Sequence, residues 1–282
     1  MTDEFSIRRM RRAELDLVVG WAAAEGWNPG LDDADAFFAA DPDGFFIGLI
    51  DGEPIASISV VSYGSRSAFL GFYIVRPEWR GRGYGFRLWR YALAQTQVRP
   101  VGLDGVIAQV HTYERAGFTS AYRNIRYVIR ARETAWGDGE ARPIDDADLP
   151  SVWAYDQGVF GASREEFLAA WLRRHDTSAR LIEKNGRVAG YGAIRPALDG
   201  FRVGPLFADG PESAASLLGA LLVVVPTGSA VSLDVPDVNP EAKHLAQRLD
   251  GVPTFETERM YLGAAPAQET SHIYGITSFE LG

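Results

Sequence analysis

Residues 75–93 read VRPEWRGRGYGFRLWRYAL, and the chemistry that these residue types suit is anion binding. Gly81, Gly83 and Gly85 alternate with Arg82 and Tyr84, and Arg76 and Arg80 stand just before them. The apolar run FLGFYIV (69–75) precedes the glycines and a helix-forming run follows. The first N–H groups of a helix are unpaired and carry partial positive charge. A glycine approach lets them close around an anion, and Arg80 and Arg82 add charge. Residues 80–85 therefore suit a phosphate or pyrophosphate; the plain alternative is a surface turn with solvated arginines. The spacing GxGxG, in place of GxGxxG, excludes a dinucleotide fingerprint, and the lack of Gly-Lys-Ser/Thr excludes a P-loop.

Composition narrows the context. The chain has 282 residues, enough for one large or two ordinary domains. Its formal net charge of −9 argues against general nucleic-acid binding, so the arginine turn is a local feature on an acidic chain. No apolar run approaches the roughly 18 residues of a membrane span. The start, MTDEFSIRRM, lacks an apolar signal core. A cytoplasmic protein is expected. The absence of cysteine removes disulfides, thiolate metal sites and a cysteine nucleophile. His111, His175, His244 and His272 have no ligand spacing, so no metal is expected.

The elements that position the turn form a series that repeats. Residues 5–9 read as a strand, 12–24 as a helix, EGWNPG (25–30) as a break, and 31–44 as a second helix. A hairpin around Asp-Gly spans 45–61. A strand at 69–75, a helix at 84–97, a strand at 101–106, a helix at 109–116 and a strand at 122–130 follow. The same order runs again from Glu140. It has a short strand, a helix to Phe160, a helix with Ser163 and Glu166 at capping-box spacing, and a hairpin around Asn-Gly at 179–194. Strands at 201–207, 230–235 and 254–263 alternate with helices from 211 and 240, and SHIYGITSFELG reads as one more strand. An internal duplication is expected, with its boundary in 131–141; one mixed domain is the alternative.

Arg80-Arg82-Gly83-Gly85 fits R/Q-x-x-G-x-G/A between a strand and a helix. With YERAGF (113–118) and the element order, residues 5–130 resemble the GNAT superfamily of acyl-CoA-dependent N-acyltransferases. The resemblance implies an α/β fold: tandem domains, 1–132 catalytic and 140–282 degenerate. Each would hold a central, mostly antiparallel sheet with a splayed strand pair flanked by helices. It implies that Ile74, Val75 and Arg76 meet the pantetheine of acetyl-CoA, and that Arg80, Gly81, Arg82, Gly83, Tyr84 and Gly85 hold its pyrophosphate. Tyr113 is then the general acid for the departing thiolate, and Glu25 the candidate base; Asp104, His111 or a water chain are alternatives. Trp27, Asn28 and Tyr73 are the candidate acceptor contacts. One departure stands out: Val106 and Gln109 occupy positions where the family often has Asn and Ala.

In the second half the corresponding turn, LFADGPESAASLL (206–218), has no arginine and carries Asp209 and Glu212, which repel a pyrophosphate. Asn239 and Ala242 keep the family's Asn-x-x-Ala spacing, while Ala246 replaces the tyrosine. Asp156 and Phe160 take the place of the EGWNPG loop, as site or structural residues. The second half would then be an acceptor wall, a dimerisation surface or a stabilising platform. The expected function is acetyl transfer from acetyl-CoA to a small amine by a monomer or homodimer active in its first half only; the acidic chain and its Trp-rich loops favour a cationic amine, such as an amino acid, polyamine or aminated metabolite. A non-catalytic acyl-CoA-binding regulatory module is the alternative.

Overall fold

The computed structural model describes residues 4–97, 100–134, 136 and 140–282; residues 135 and 137–139 of the expected boundary lie outside these. The first half runs β1 (Phe5–Arg9), α1 (Arg12–Ala24), α2 (Asp33–Ala40), β2 (Phe45–Ile50), β3 (Glu53–Tyr63) and β4 (Ser67–Val75). It continues with α3 (Tyr84–Ala94), β5 (Val101–Val106), α4 (Val110–Arg115) and β6 (Thr119–Arg130). The second half runs β7 (Arg142–Pro143), α5 (Leu149–Phe160), α6 (Glu165–Leu172), β8 (Ser178–Lys184), β9 (Arg187–Pro196) and β10 (Phe201–Ala208). Then come α7 (Pro211–Leu222), β11 (Ala230–Pro236), α8 (Pro240–Arg248), β12 (Val252–Leu262) and β13 (Ile273–Gly275). The repeat read in the sequence is present element by element. Helix α3 stops at Ala94, short of the expected end. Helix α6 starts one residue later than its capping signal: Arg164 is the N-cap, and the Ser163 hydroxyl bonds the Glu165 carboxylate at 3.1 Å.

The halves are not separate sheets. The strand order is β1-β2-β3-β4-β5-β12-β6-β11-β10-β9-β8-β7, so each half's last long strand lies in the other half's sheet. β12 pairs with β5 from Thr257–Val106 to Leu262–Val101, and with β6 on its other side. β6 in turn pairs with β11 from Ala230–Arg130 to Pro236–Asn124. The exchange gives β5 and β6 a neighbour on both sides and leaves only β1 and the two-residue β7 as outer strands among the described residues. Residues 1–132 and 140–282 are halves of the chain that share one sheet.

Packing differs on the two faces. On one face α1, α2, α5 and α6 build a joint core in which Phe37 stacks on Trp171 at 5.7 Å. On the other, α3 and α4 cover the first half and α7 and α8 the second, in separate cores. Buried ion pairs cross the joint. Arg126 and Arg202 both donate to Asp234, at 2.7 and 2.6 Å, and Arg195 and Arg174 both donate to Asp33, at 2.8 and 2.7 Å.

Tyr63 and Tyr191 are fully buried; Tyr63 donates to the Leu281 carbonyl and Tyr191 to Asp156. Burial raises both phenols above their ordinary value of 10.0. A raised folded-state value means stability present below the unfolded value and lost as pH rises past it. Tyrosinate absorbance and circular dichroism should therefore change together above about pH 10. Complete tyrosine ionisation with native dichroism would refute this.

Candidate active site

The anion turn is built as its residues suggest. Gly81 and Gly83 have φ of +74° and +83°, where a side chain would be strained, and open space lies where their Cβ would stand. Gly83 is the N-cap of α3. Among the described residues the N–H groups of residues 81–86 donate to no other backbone group, and the first helical bond runs from Arg87 to Gly83. Gly85 has another reason to be small: a Cβ there would lie 2.8 Å from the Tyr73 hydroxyl. The turn thus leaves a ring of free donors on a helix end, which fits the pyrophosphate of an acyl-CoA.

The strands that approach it part. β4 and β5 pair in parallel only from Ala68–Val101 to Leu70–Leu103, and beyond that β5 continues against β12 alone. The divergence begins at a bulge in β4, where Phe72 has φ of +47° and its carbonyl accepts the Ser57 hydroxyl at 2.7 Å. The family's splayed pair is therefore present, with Ile74 and Val75 on its open edge. A cavity of about 460 Å³ fills the opening.

Most residues expected in the site meet at this cavity: Glu25, Trp27, Tyr73 to Val75, Arg80, Gly81, Gly83 to Gly85, and Tyr113 line it. Tyr113 is buried, stacked on Trp89 at 5.6 Å, and lies over Gly105, where a Cβ would stand 2.7 Å from its ring. Burial, with Tyr73 nearby, pushes its phenol up to about 12. Asp104 also lines the cavity, but it is held by Arg259 at 2.7 Å and Asn124 at 2.8 Å, and burial raises its carboxyl. His111 is exposed and pairs with Glu114 instead.

Three expected contacts are placed elsewhere. Arg76 pairs with Glu53 and Glu78, both at 2.6 Å. Arg82 lies over the Trp79 ring, 4.9 Å from its centre. Asn28 bonds the backbone of Asp199 through both amide atoms, at 2.8 and 3.0 Å. None of the three lines the cavity. The Asn28 bonds are part of a clamp that fixes the EGWNPG loop. Arg126 donates to the Trp27 carbonyl at 2.7 Å, Arg202 to the Asn28 carbonyl at 3.0 Å, and Asp33 accepts from Gly30 N–H at 2.9 Å. Glu25, at the end of this clamped loop, forms an ion pair with Arg80, which also donates to the Val75 carbonyl at 2.8 Å. The loop and the anion turn are thereby tied together.

The second half has the same junction, closed. β10 and β11 pair in parallel only from Phe201–Val231 to Val203–Leu233 and then part. β13 enters that gap, pairing with β10 at Leu206 and Phe207, while Ile276 N–H donates to the Asp234 carbonyl of β11. The chain's own tail occupies the second slot. Asn239 holds it there: its Oδ1 caps α8 through Ala242 N–H, and its Nδ2 donates to the Thr270, Ser271 and Ile273 carbonyls. The strand-to-helix turn has extended Gly210 at φ −174°, and Asp209 accepts the Tyr155 hydroxyl at 2.9 Å. Asp156 is spent on Arg164 and Tyr191, and Phe160 lies under the Arg164 guanidinium and meets Tyr63 edge to face, so both are structural. The tail then crosses to the first half, and its Phe279 lines the open cavity beside Phe255 and Thr257 of β12. No local spacing announces these three residues, because strand exchange brings them in.

Known proteins agree with this architecture. Residues 9–118 match the model described as "Acetyltransferase (GNAT) family", and residues 152–275 match one described as "Acetyltransferase (GNAT) domain". The chain is 35% identical over 270 residues to the holothin acyltransferase of Pseudoalteromonas sp. (strain SANK 73390), covering 95% of this chain and 92% of that one. A putative acetyltransferase from Pyrococcus horikoshii superposes with a TM-score of 0.85 at 22% identity, covering 99% of this chain and 96% of that one. A tandem GNAT protein from the clavulanic acid biosynthesis pathway superposes with a TM-score of 0.63 at 15% identity, covering 94% and 100%. The chain belongs to the GNAT family of acyltransferases, with two GNAT units in tandem.

Proposed function

We propose that this protein moves an acetyl group from acetyl-CoA to a small amine by direct attack, using the first half alone. The observation that carries the reading is the contrast between the two junctions. The first is open, with free N–H donors on a glycine turn; the second is filled by β13 and fronted by Asp209. Acetyl-CoA supplies the activated thioester. The backbone N–H groups of the glycine turn, beside Arg80, grip its pyrophosphate, and the edge of β4 at Ile74 and Val75 that β5 leaves open aligns the pantetheine. Tyr113 donates a proton to the leaving sulfur, and Glu25, at the cavity mouth, takes the amine proton directly or through water. The reading includes a cytoplasmic enzyme, monomeric or homodimeric, acting without a metal. Among the described residues no helix is long and apolar enough to cross a membrane.

Holothin, which the name of the 35%-identical relative gives as what that protein acylates, is the first acceptor to try. The test is acetyl-CoA consumption with holothin and a panel of amines, beside calorimetric acetyl-CoA binding. Gly83→Glu places a side chain at φ +83° and a negative charge on the anion turn. Acetyl-CoA affinity should fall about 100-fold, the loss of one charge-assisted anion contact plus one repulsion. Unchanged affinity in this variant would sink the assignment of the turn; acetyl-CoA binding without turnover of any amine would sink the enzyme.

A further inference from the structure

The second half contributes more than a platform. Phe255 and Thr257 of β12 and Phe279 of the tail line the same cavity as Trp27 of the clamped loop. The tail reaches the apex of the splay: a Cβ on Gly71, next to the β4 bulge, would overlap the Glu280 carbonyl oxygen. Phe279 is therefore delivered close to where the strands part, which is where an acyl group must meet its acceptor.

The chemistry of this wall selects a class of amine. Phe255 and Phe279 stand 5.7 Å apart at 53°, and the Arg126 guanidinium lies 5.7 and 4.8 Å from their ring centres. Rings already engaged by a buried cation are a poor seat for a second one. The carboxylates that line the cavity are Glu25 and Asp104, and each is ion-paired, with Arg80 and Arg259. Among the described residues that line it, the wall thus offers flat apolar faces and no unpaired carboxylate; the unpartnered carboxyl of Glu280, next to Phe279, is buried and does not line the cavity. Set in the wall is a buried polar atom that is also unspent. Thr257 is 2% exposed, and its hydroxyl has no hydrogen-bond partner among the described residues. A buried hydroxyl left unpaired is costly, and a ligand that pairs it relieves the cost.

We infer that the acceptor is a planar, weakly basic aromatic amine, its ring held by Trp27, Phe255 and Phe279 and a polar group bonded to the Thr257 hydroxyl. The inference rests on the acyltransferase reading above and adds the substrate class. A weakly basic amine arrives neutral, so attack needs little help from a base already tied to arginine.

Calorimetry on the CoA-bound full chain, with 5-aminoindole and spermidine as probes, tests it. 5-Aminoindole should bind at least about tenfold tighter than spermidine. Thr257→Val should weaken it about tenfold, the value of one hydrogen bond, Thr257→Ser should restore it, and Phe255→Ala should weaken it as well. CoA affinity should not change in any variant. Spermidine binding as tightly as 5-aminoindole, an unaffected Thr257→Val, or a parallel loss of CoA affinity would each overturn the inference. A wild-type chain that binds CoA but not 5-aminoindole overturns this inference alone; one that binds no CoA overturns the acyltransferase reading as well.

Discussion

Residues 1–132 produced alone should fail to give a folded, acetyl-CoA-binding monomer, although they hold the whole anion turn and Tyr113. Without β12, the β5 edge from Val101 to Val106 and the β6 edge from Thr119 to Val128 lose their partner. The other edge of β6 loses β11 at the same time. Each backbone group left buried and unpaired costs about 1–3 kcal/mol, so a handful of them is comparable with the roughly 5–15 kcal/mol of a typical domain. The joint core of α1, α2, α5 and α6 would also be cut, exposing Phe37 where Trp171 had covered it. One ordered species remains open to such a fragment: a two-fold dimer in which a second copy's β6 takes the place of β12. Gel filtration with circular dichroism on 1–132, alone and co-expressed with 140–282, decides it. Insoluble or dimeric fragment, rescued as a complex by the second half, is the expected result. A folded 1–132 monomer with the thermal midpoint of the full chain would show that the exchange contributes nothing.

That dependence also explains what was legible in the sequence. The anion turn is local: Gly81, Gly83, Gly85 and Arg80 act within one strand-to-helix junction, so spacing along the chain reports their geometry. The splay of β4 from β5 follows from the same resemblance. Strand exchange is silent, because an alternating strand such as β12 satisfies the same hydrogen bonds whether it pairs within its own half or across. Thr257, Phe255 and Phe279 were therefore invisible as site residues, even though TFETERMYLG is legible as a strand. A spacing can also serve another end. Asn239 and Ala242 keep a family interval, yet their amide and N–H close a helix cap and clasp the tail. Asn28 lies in the right loop, yet its amide bridges to Asp199 rather than facing the cavity. Residue type located these side chains; only the neighbours across the joint decide what each one does.

Tyr113→Phe should lower kcat by about 10³-fold, within the range of a positioned general acid, or about 4 kcal/mol of transition-state stabilisation. The change is confined to one oxygen. The ring stays stacked on Trp89 and over Gly105, and the hydroxyl donates to no protein group among the described residues, so stability and acetyl-CoA affinity should be preserved. The sign of the pH dependence follows from burial. An acid must be protonated to act, and burial pushes this phenol up to about 12, above its ordinary value of 10.0. Tyr113 therefore remains a proton donor throughout the neutral and mildly alkaline range, and its own limb in the kcat profile should fall above pH 10. Stopped assays of CoA release across pH, wild type against Tyr113→Phe, read both effects at once. A variant within about tenfold of wild type at neutral pH would place the proton on water or another group. A variant with weakened acetyl-CoA binding and unchanged kcat would make Tyr113 a packing residue of α4, held against Trp89 for its ring alone.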